Sequence, residues 1–137
     1  MSNASDAMSI SAAGMRAQAA RMRIISENIA NAESTAREPG GDPYRRQIPV
    51  FQAELDRVTG LNTVRMSDVD YDQSDFTLEF DPGHPAANDD GYVKTSNVQT
   101  LVEMMDMREA MRSYEANLNM IENSRRMEQR TLDLLRR

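Results

Sequence analysis

The chain has no cysteine, no tryptophan and one histidine, and only 5% of its 137 residues are aromatic. Without cysteine there is no disulfide, no thiolate nucleophile and no Cys-ligated zinc or iron–sulfur centre. A lone histidine, His84, excludes His–His acid/base pairs and His-rich metal sites. Scarce aromatics argue against a carbohydrate cleft built around paired carboxylates, which needs an aromatic-lined pocket. An excess of positive charge is missing too. Sixteen basic residues face 22 acidic ones, for a net charge of −6, which argues against a nucleic-acid-binding domain. No apolar run approaches the ~20 residues that span a bilayer. The opening MSNASDAMSISAAGM lacks the basic start and apolar stretch of a cleaved secretory signal. No enzyme activity, no cofactor and no metal site are expected.

Glycine and proline are absent from residues 92–137, and Gly14 is the only one of either type in residues 1–38. The other five glycines and all five prolines lie between residues 39 and 91. This spacing predicts two helical arms, 1–35 and 96–137, around an irregular or β-containing centre, 36–95. Both arms are neutral, with three and three, then seven and seven, basic and acidic groups. The centre therefore carries the whole negative charge, and residues 66–93 hold eight acidic side chains with no Lys or Arg.

Each arm carries a seven-residue apolar repeat. Met8, Met15, Met22 and Ile29 form the first row, with Ala12, Ala19, Ile25 and Ala32 beside it. In the second arm Met104, Met111 and Leu118 repeat at seven, and Met107, Tyr114 and Ile121 follow three positions on, the pattern of an a/d seam. Ser5 or Ser9 is expected to cap the first helix, and Ser96 or Asn97 the second. A C-terminal helix of about 40 residues would reach roughly 60 Å. A compact chain of this length has a radius of gyration of ~14 Å, so helices of that length and stripe width call for other copies or partners. Methionine packs adaptably, which suits contacts that differ between copies.

In the centre, Gln47–Phe51, Val64–Val69 and Phe76–Phe80 show partial alternation and are read as strands of a small hairpin-like element. His84 sits in a Pro-Gly-His-Pro turn and is read as a turn residue. The acidic run lacks the spacing of a calcium loop and is read as a solvated face. Asn28 and Asn31 share one face of the first arm, where their amides can serve a neighbouring helix or the helix's own last carbonyls. Arg45 and Arg46 lie in an acidic region, which argues against nucleic acid.

The segment Ser26-Glu27-Asn28-Ile29-Ala30-Asn31-Ala32 resembles the "S-x-N-I-A-N-A" signature of the bacterial flagellar axial proteins, the rod, hook and hook-associated subunits. Gly41, Pro43, Tyr44, Arg45 and Arg46, then Pro82, Gly83, His84 and Pro85, and finally Ser113-Tyr114-Glu115-Ala116-Asn117, resemble the short proximal rod members along essentially the whole chain. Asp42, between Gly41 and Pro43, departs from that pattern. The resemblance implies a mainly α fold whose terminal helices pair as an antiparallel coiled coil, with a small β-hairpin-containing segment outside it. It implies export by the flagellar type III apparatus and a place in the periplasmic rod. The implied partners are other proximal rod subunits (FlgB and FlgF type), the distal rod subunit (FlgG type), the rod–export-gate adaptor (FliE type) and further copies of the chain. The expected assembly interface comprises Met8, Met15, Met22, Ile25, Asn28, Ile29, Asn31, Met104, Met107, Met111, Tyr114, Asn117, Leu118 and Ile121. Another short axial subunit, or a coiled-coil adaptor outside the flagellum, would share much of this pattern.

Overall fold

The computed structural model describes residues 2–137. In chain order the elements are α1 (Ser2–Ala30), β1 (Gln47–Leu55), β2 (Asn62–Tyr71), β3 (Thr77–Phe80), β4 (Tyr92–Thr95) and α2 (Thr100–Leu135). The fold is mainly helical, with two separate two-stranded antiparallel sheets, β1–β2 and β3–β4.

The chain divides into two compact units, and α1, α2, β1 and β2 each contribute residues to both. One unit comprises the chain up to Met22, Val50–Asp68 and Arg108–Arg137. Here the helices run in opposite directions: Gly14 abuts the Asn117 amide, and Arg21 reaches Glu109 at 3.5 Å. Ala13, Ala17 and Ala20 face the β1–β2 hairpin across a groove of about 300 Å³ whose other wall includes Glu54, Val64 and Met66. The hairpin turns through Asp56–Leu61, where Asp56 Oδ1 accepts the Val58 N–H at 2.9 Å. Arg65 and Glu54 pair across it at 2.6 Å.

The second unit comprises Arg23–Pro49 and Val69–Met107. In it β3 pairs with β4 from Thr77↔Thr95 to Phe80↔Tyr92, and Thr35 bridges to Thr95 on the far side of β4. Ile24, Ile25, Ala86, Val93 and Val98 are its buried apolar residues.

Four expectations change. Two sheets replace one hairpin element, because β4 is four residues long and too short to show a period. β1 and β2 run to nine and ten residues, and Pro49 is accommodated because every strand of a two-stranded sheet is an edge. The helix α1 starts at Ser2, which places Ser5 and Ser9 inside it instead of at a cap. Neither Ser96 nor Asn97 caps α2, which begins at Thr100. The Ser96 hydroxyl accepts the Val98 N–H, and Asn97 is drawn into the network described below.

The seven-residue period is present, but the most buried positions are not the methionine rows, and in α2 they form a row one position before Met104, Met111 and Leu118. Along α2 they are Glu103, Ala110, Asn117 and Ser124; along α1 the buried residues are Ser11, Ala13, Gly14, Ala17, Ile24, Ile25 and Asn28, while Met8, Met15, Met22 and Ile29 are half-buried. Where Gly14 meets Asn117 the helices approach closely, and the buried row of α2 consists of small and polar side chains that such an approach admits in place of methionine. Met104, Met111 and Leu118 are 50%, 49% and 39% exposed.

Candidate functional site

The end of α1 brings Asn28 against the start of β1, and all four hydrogen-bonding positions of its amide are filled. Its Nδ2 donates to the Gln47 carbonyl at 2.9 Å and to Glu103 Oε2 at 3.2 Å. Its Oδ1 accepts from the Gln47 N–H at 2.9 Å and from the Tyr44 hydroxyl at 2.8 Å. By taking both the N–H and the C=O of Gln47, the side chain does for β1 what a neighbouring strand would do. Asn31, one turn on, donates to the Glu27 carbonyl at 2.8 Å and closes its own helix end. The two asparagines thus do the two different jobs their chemistry allows.

Glu103 is 1% exposed and enters this network from the first turn of α2. Its Oε1 accepts from Arg46 Nε, while its Oε2 holds Asn28. The Arg46 guanidinium also faces Asp72 and Asp106, each at 3.5 Å. Burial works to lower the Arg46 pKa, but the Glu103 hydrogen bond and the three carboxylates outweigh it and raise the value above normal. A buried carboxylate is tolerable only with such a partner and with its oxygens hydrogen-bonded.

The Arg46 backbone is held as well. Its N–H donates to Asn97 Oδ1 at 2.7 Å, and its carbonyl accepts from the Asp72 N–H at 2.9 Å. Asn97 Nδ2 in turn donates to the Asp72 carbonyl at 2.9 Å. Arg45 donates to the same carbonyl at 2.8 Å and lays its guanidinium over the Phe76 ring at 4.3 Å. Both arginines are therefore committed to the protein itself. Hydrogen bonds from Ser74 hold the Asp72 carboxyl below its usual range, with Arg46 adding to the effect. Burial, then the charges of Glu27 and Glu103, push the Tyr44 phenol up to about 12.

The expected site residues are thus partly brought together. Asn28, Tyr44, Arg45 and Arg46 join one network, with Pro43 buried beside it and the Gly41 N–H bonded to the Glu38 carbonyl at 3.1 Å. Pro82, Gly83, His84 and Pro85 form the loop after β3, where His84 Nδ1 accepts the Ala86 N–H at 3.0 Å. Among the rows, Ile25 is buried, and Met8, Met15, Met22, Ile29, Met107, Tyr114, Asn117 and Ile121 are half-buried. Sequence reasoning missed Glu103, Asp72 and Asn97. For Glu103 a signal existed, since it begins a row with Ala110, Asn117 and Ser124 at a spacing of seven. Among the described residues, no group of three or more His, Asp or Glu is arranged to hold a metal ion, and no helix is long and apolar enough to cross a membrane.

Residues 89–134 match the family described as flagellar basal body rod FlgEFG protein C-terminal. The chain is 50% identical over 132 residues to the flagellar basal-body rod protein FlgC of Agrobacterium fabrum, covering 96% of this chain and 95% of that protein. The chain belongs to the FlgC family of flagellar basal-body rod proteins. FlgC proteins of Bacillus subtilis and Escherichia coli O157:H7 are 34% and 35% identical, over 93% and 91% of the chain and 95% and 92% of their own lengths. As an FlgC-family member the chain is a structural subunit of the basal-body rod, and the Asn28–Glu103–Arg46 network is a fastening within it. The FlgEFG-type match takes in β4 and all but the last residue of α2, so it contains Glu103 and the exposed Met104, Met111 and Leu118.

Proposed function

We propose that this subunit packs helically with other proximal rod subunits, the distal rod subunit, the adaptor at the export gate and copies of itself. In this reading it stands in the periplasmic part of the rod, transmits motor torque and helps enclose the export channel. It travels there through the flagellar type III apparatus. The terminal helices form an inner antiparallel coiled-coil layer, and the sheets lie outside it.

One observation carries this reading. The row Met104, Met111 and Leu118 stays 39–50% exposed in a single chain, while the inner face of α2 is already filled by Glu103, Ala110 and Ser124. A regularly spaced apolar row on a long helix, left open by its own chain, is a surface for other helices. Heterologous contacts of this kind repeat without closing and so build a filament.

Met111→Asp tests it. The site is half-exposed in the chain, so the variant is expected to accumulate and stay soluble. A carboxylate buried between helices is penalised at every copy, so motility halos should disappear and hooks should be missing from isolated basal bodies. Asp75→Asn, in the acidic centre, should leave both unchanged. Normal hooks with Met111→Asp, or lost hooks with Asp75→Asn, would move the assembly surface from the helices to the centre and refute the reading.

A further inference from the structure

The register of β3–β4 decides which side chains share a face. Leu78, Lys94, Phe80 and Tyr92 lie on one face, and Thr77, Thr95, Glu79 and Val93 on the other. On the second face Val93 is buried and Thr95 half-buried, while Thr77 and Glu79 are exposed. On the first, Leu78, Phe80 and Tyr92 are 59%, 64% and 43% exposed. This inverts the usual pattern of a half-buried antiparallel sheet, which turns its apolar side inward. The Phe80 and Tyr92 rings meet edge-on with centroids 5.2 Å apart. Gly91, at φ +83°, lets the chain pass Phe80 and Pro82 where a Cβ would lie 3.0 Å and 3.1 Å from them. The exposed face is therefore a built platform with defined packing.

Its charge selects what can cover it. Asp81, Asp89 and Asp90 are exposed in the loop that joins β3 to β4, and Lys94, the cation on the platform face, is held by Asp42 at 3.0 Å. Two such faces would bring acid against acid, which disfavours self-pairing. The complementary surface is apolar and flanked by arginines. The last turns of α2 carry that chemistry, with Leu132, Leu134 and Leu135 exposed beside Arg130, Arg136 and Arg137. Both surfaces are exposed in the same chain, so each is available to another copy.

We infer that the outer face of β3–β4 seats the C-terminal end of α2 from a second copy. Phe80 and Tyr92 form the apolar floor, and the aspartates of the loop joining β3 to β4 meet the arginines. The inference rests on the rod-subunit reading and adds a named contact between copies.

The absence of cysteine makes thiol cross-linking clean. Cells would co-express two forms of the full chain, one Phe80→Cys and one Leu134→Cys, and their isolated basal bodies would be mildly oxidised. A disulfide needs Cα atoms about 5.5 Å apart. A species of twice the 15.5 kDa chain mass is expected only when both forms are present. Leu78→Cys with Leu132→Cys provides an independent pair, in case Phe80→Cys disturbs the platform. Asp89→Arg with Asp90→Arg in the first form should abolish the species, and Arg136→Asp with Arg137→Asp in the second form should restore it. If neither pair cross-links in basal bodies containing both forms, the contact is wrong and the rod-subunit reading stands. A dimer from Phe80→Cys alone, or a cross-link to a protein of different mass, also overturns the contact. Absence of the chain from basal bodies would overturn the contact and the rod-subunit reading together.

Discussion

Replacing Glu103 with glutamine preserves shape and removes one charge from a side chain that is 1% exposed. Both carboxylate oxygens are in use, one accepting from Arg46 Nε and the other from Asn28 Nδ2. A glutamine offers one oxygen and one NH₂ group, so either Arg46 or Asn28 is left facing another donor. Removing one partner of a buried ion pair costs ~3–5 kcal/mol. Arg46 retains Asp72 and Asp106, each at 3.5 Å, and its side chain is 22% exposed, so the expected loss is smaller, about 2–3 kcal/mol. A chain of this length unfolds with an entropy near ~0.3 kcal/mol/K, which converts that loss into a fall of about 7–10 °C in melting temperature. Far-UV circular dichroism of the purified full-length chain reads it directly. Combining Glu103→Gln with Arg46→Met removes both charges, and the double variant should lose about 1–2 kcal/mol less than the two single losses added together. A Glu103→Gln melt within about 2 °C of the parent, or strict additivity in the double variant, would show that the network does not fasten the fold.

Tyr44 offers a pH test. Its folded value of about 12 lies above the unfolded value near ~10. Its stabilising contribution is therefore intact below pH ~10 and is lost as pH rises through the folded value. Ultraviolet absorbance should show one tyrosine ionising late, together with the onset of alkaline unfolding, and Tyr44→Phe should remove the late step. Gly14→Leu should separate α1 from α2, because even a Cβ there would sit 2.8 Å from Asn117 Nδ2; the expected cost is about 1–3 kcal/mol by thermal melting. Gly14→Ala should melt higher in an Asn117→Ala background than alone, and equal melting in both backgrounds would count against the close approach. Gly91→Ala forces a side chain into positive φ against Phe80, with an expected cost of about 1–3 kcal/mol.

The helices were legible because, Gly14 apart, glycine and proline are absent from both arms and a seven-residue period runs along each. Which face turns inward was not. Hydrophobicity points to the methionines, but close packing favours residues that let two backbones approach, so Gly14, Ala110 and Ser124 take the interior. Asn28 and Asn31 were visible as an amide pair, yet only the position of Gln47 separates strand pairing from helix capping. Tyr44 and Arg46 stood out through resemblance, while their partners Asp72, Asn97 and Glu103 are distant in sequence and no local pattern links them. Propensity points to Ser96 or Asn97 as the start of α2, but the Ser96 hydroxyl takes the nearby Val98 N–H and Asn97 is held by Arg46 and Asp72.

The meeting of Gly14 with Asn117 also has a mechanical meaning. A seam of methionines and leucines adheres strongly but slides easily, because one apolar contact resembles the next. A position without a Cβ is a notch, and the Asn117 amide is the key resting in it. Sliding α2 along α1 by one turn, about 5.4 Å, would drive that amide against Ser11 or Gln18, where side chains fill the space. The pair thus resists shear along the helix axis through shape, independently of how much apolar area it buries. For a subunit of the basal-body rod, that lock keeps the two helices in register while their larger apolar side chains stay available to other helices.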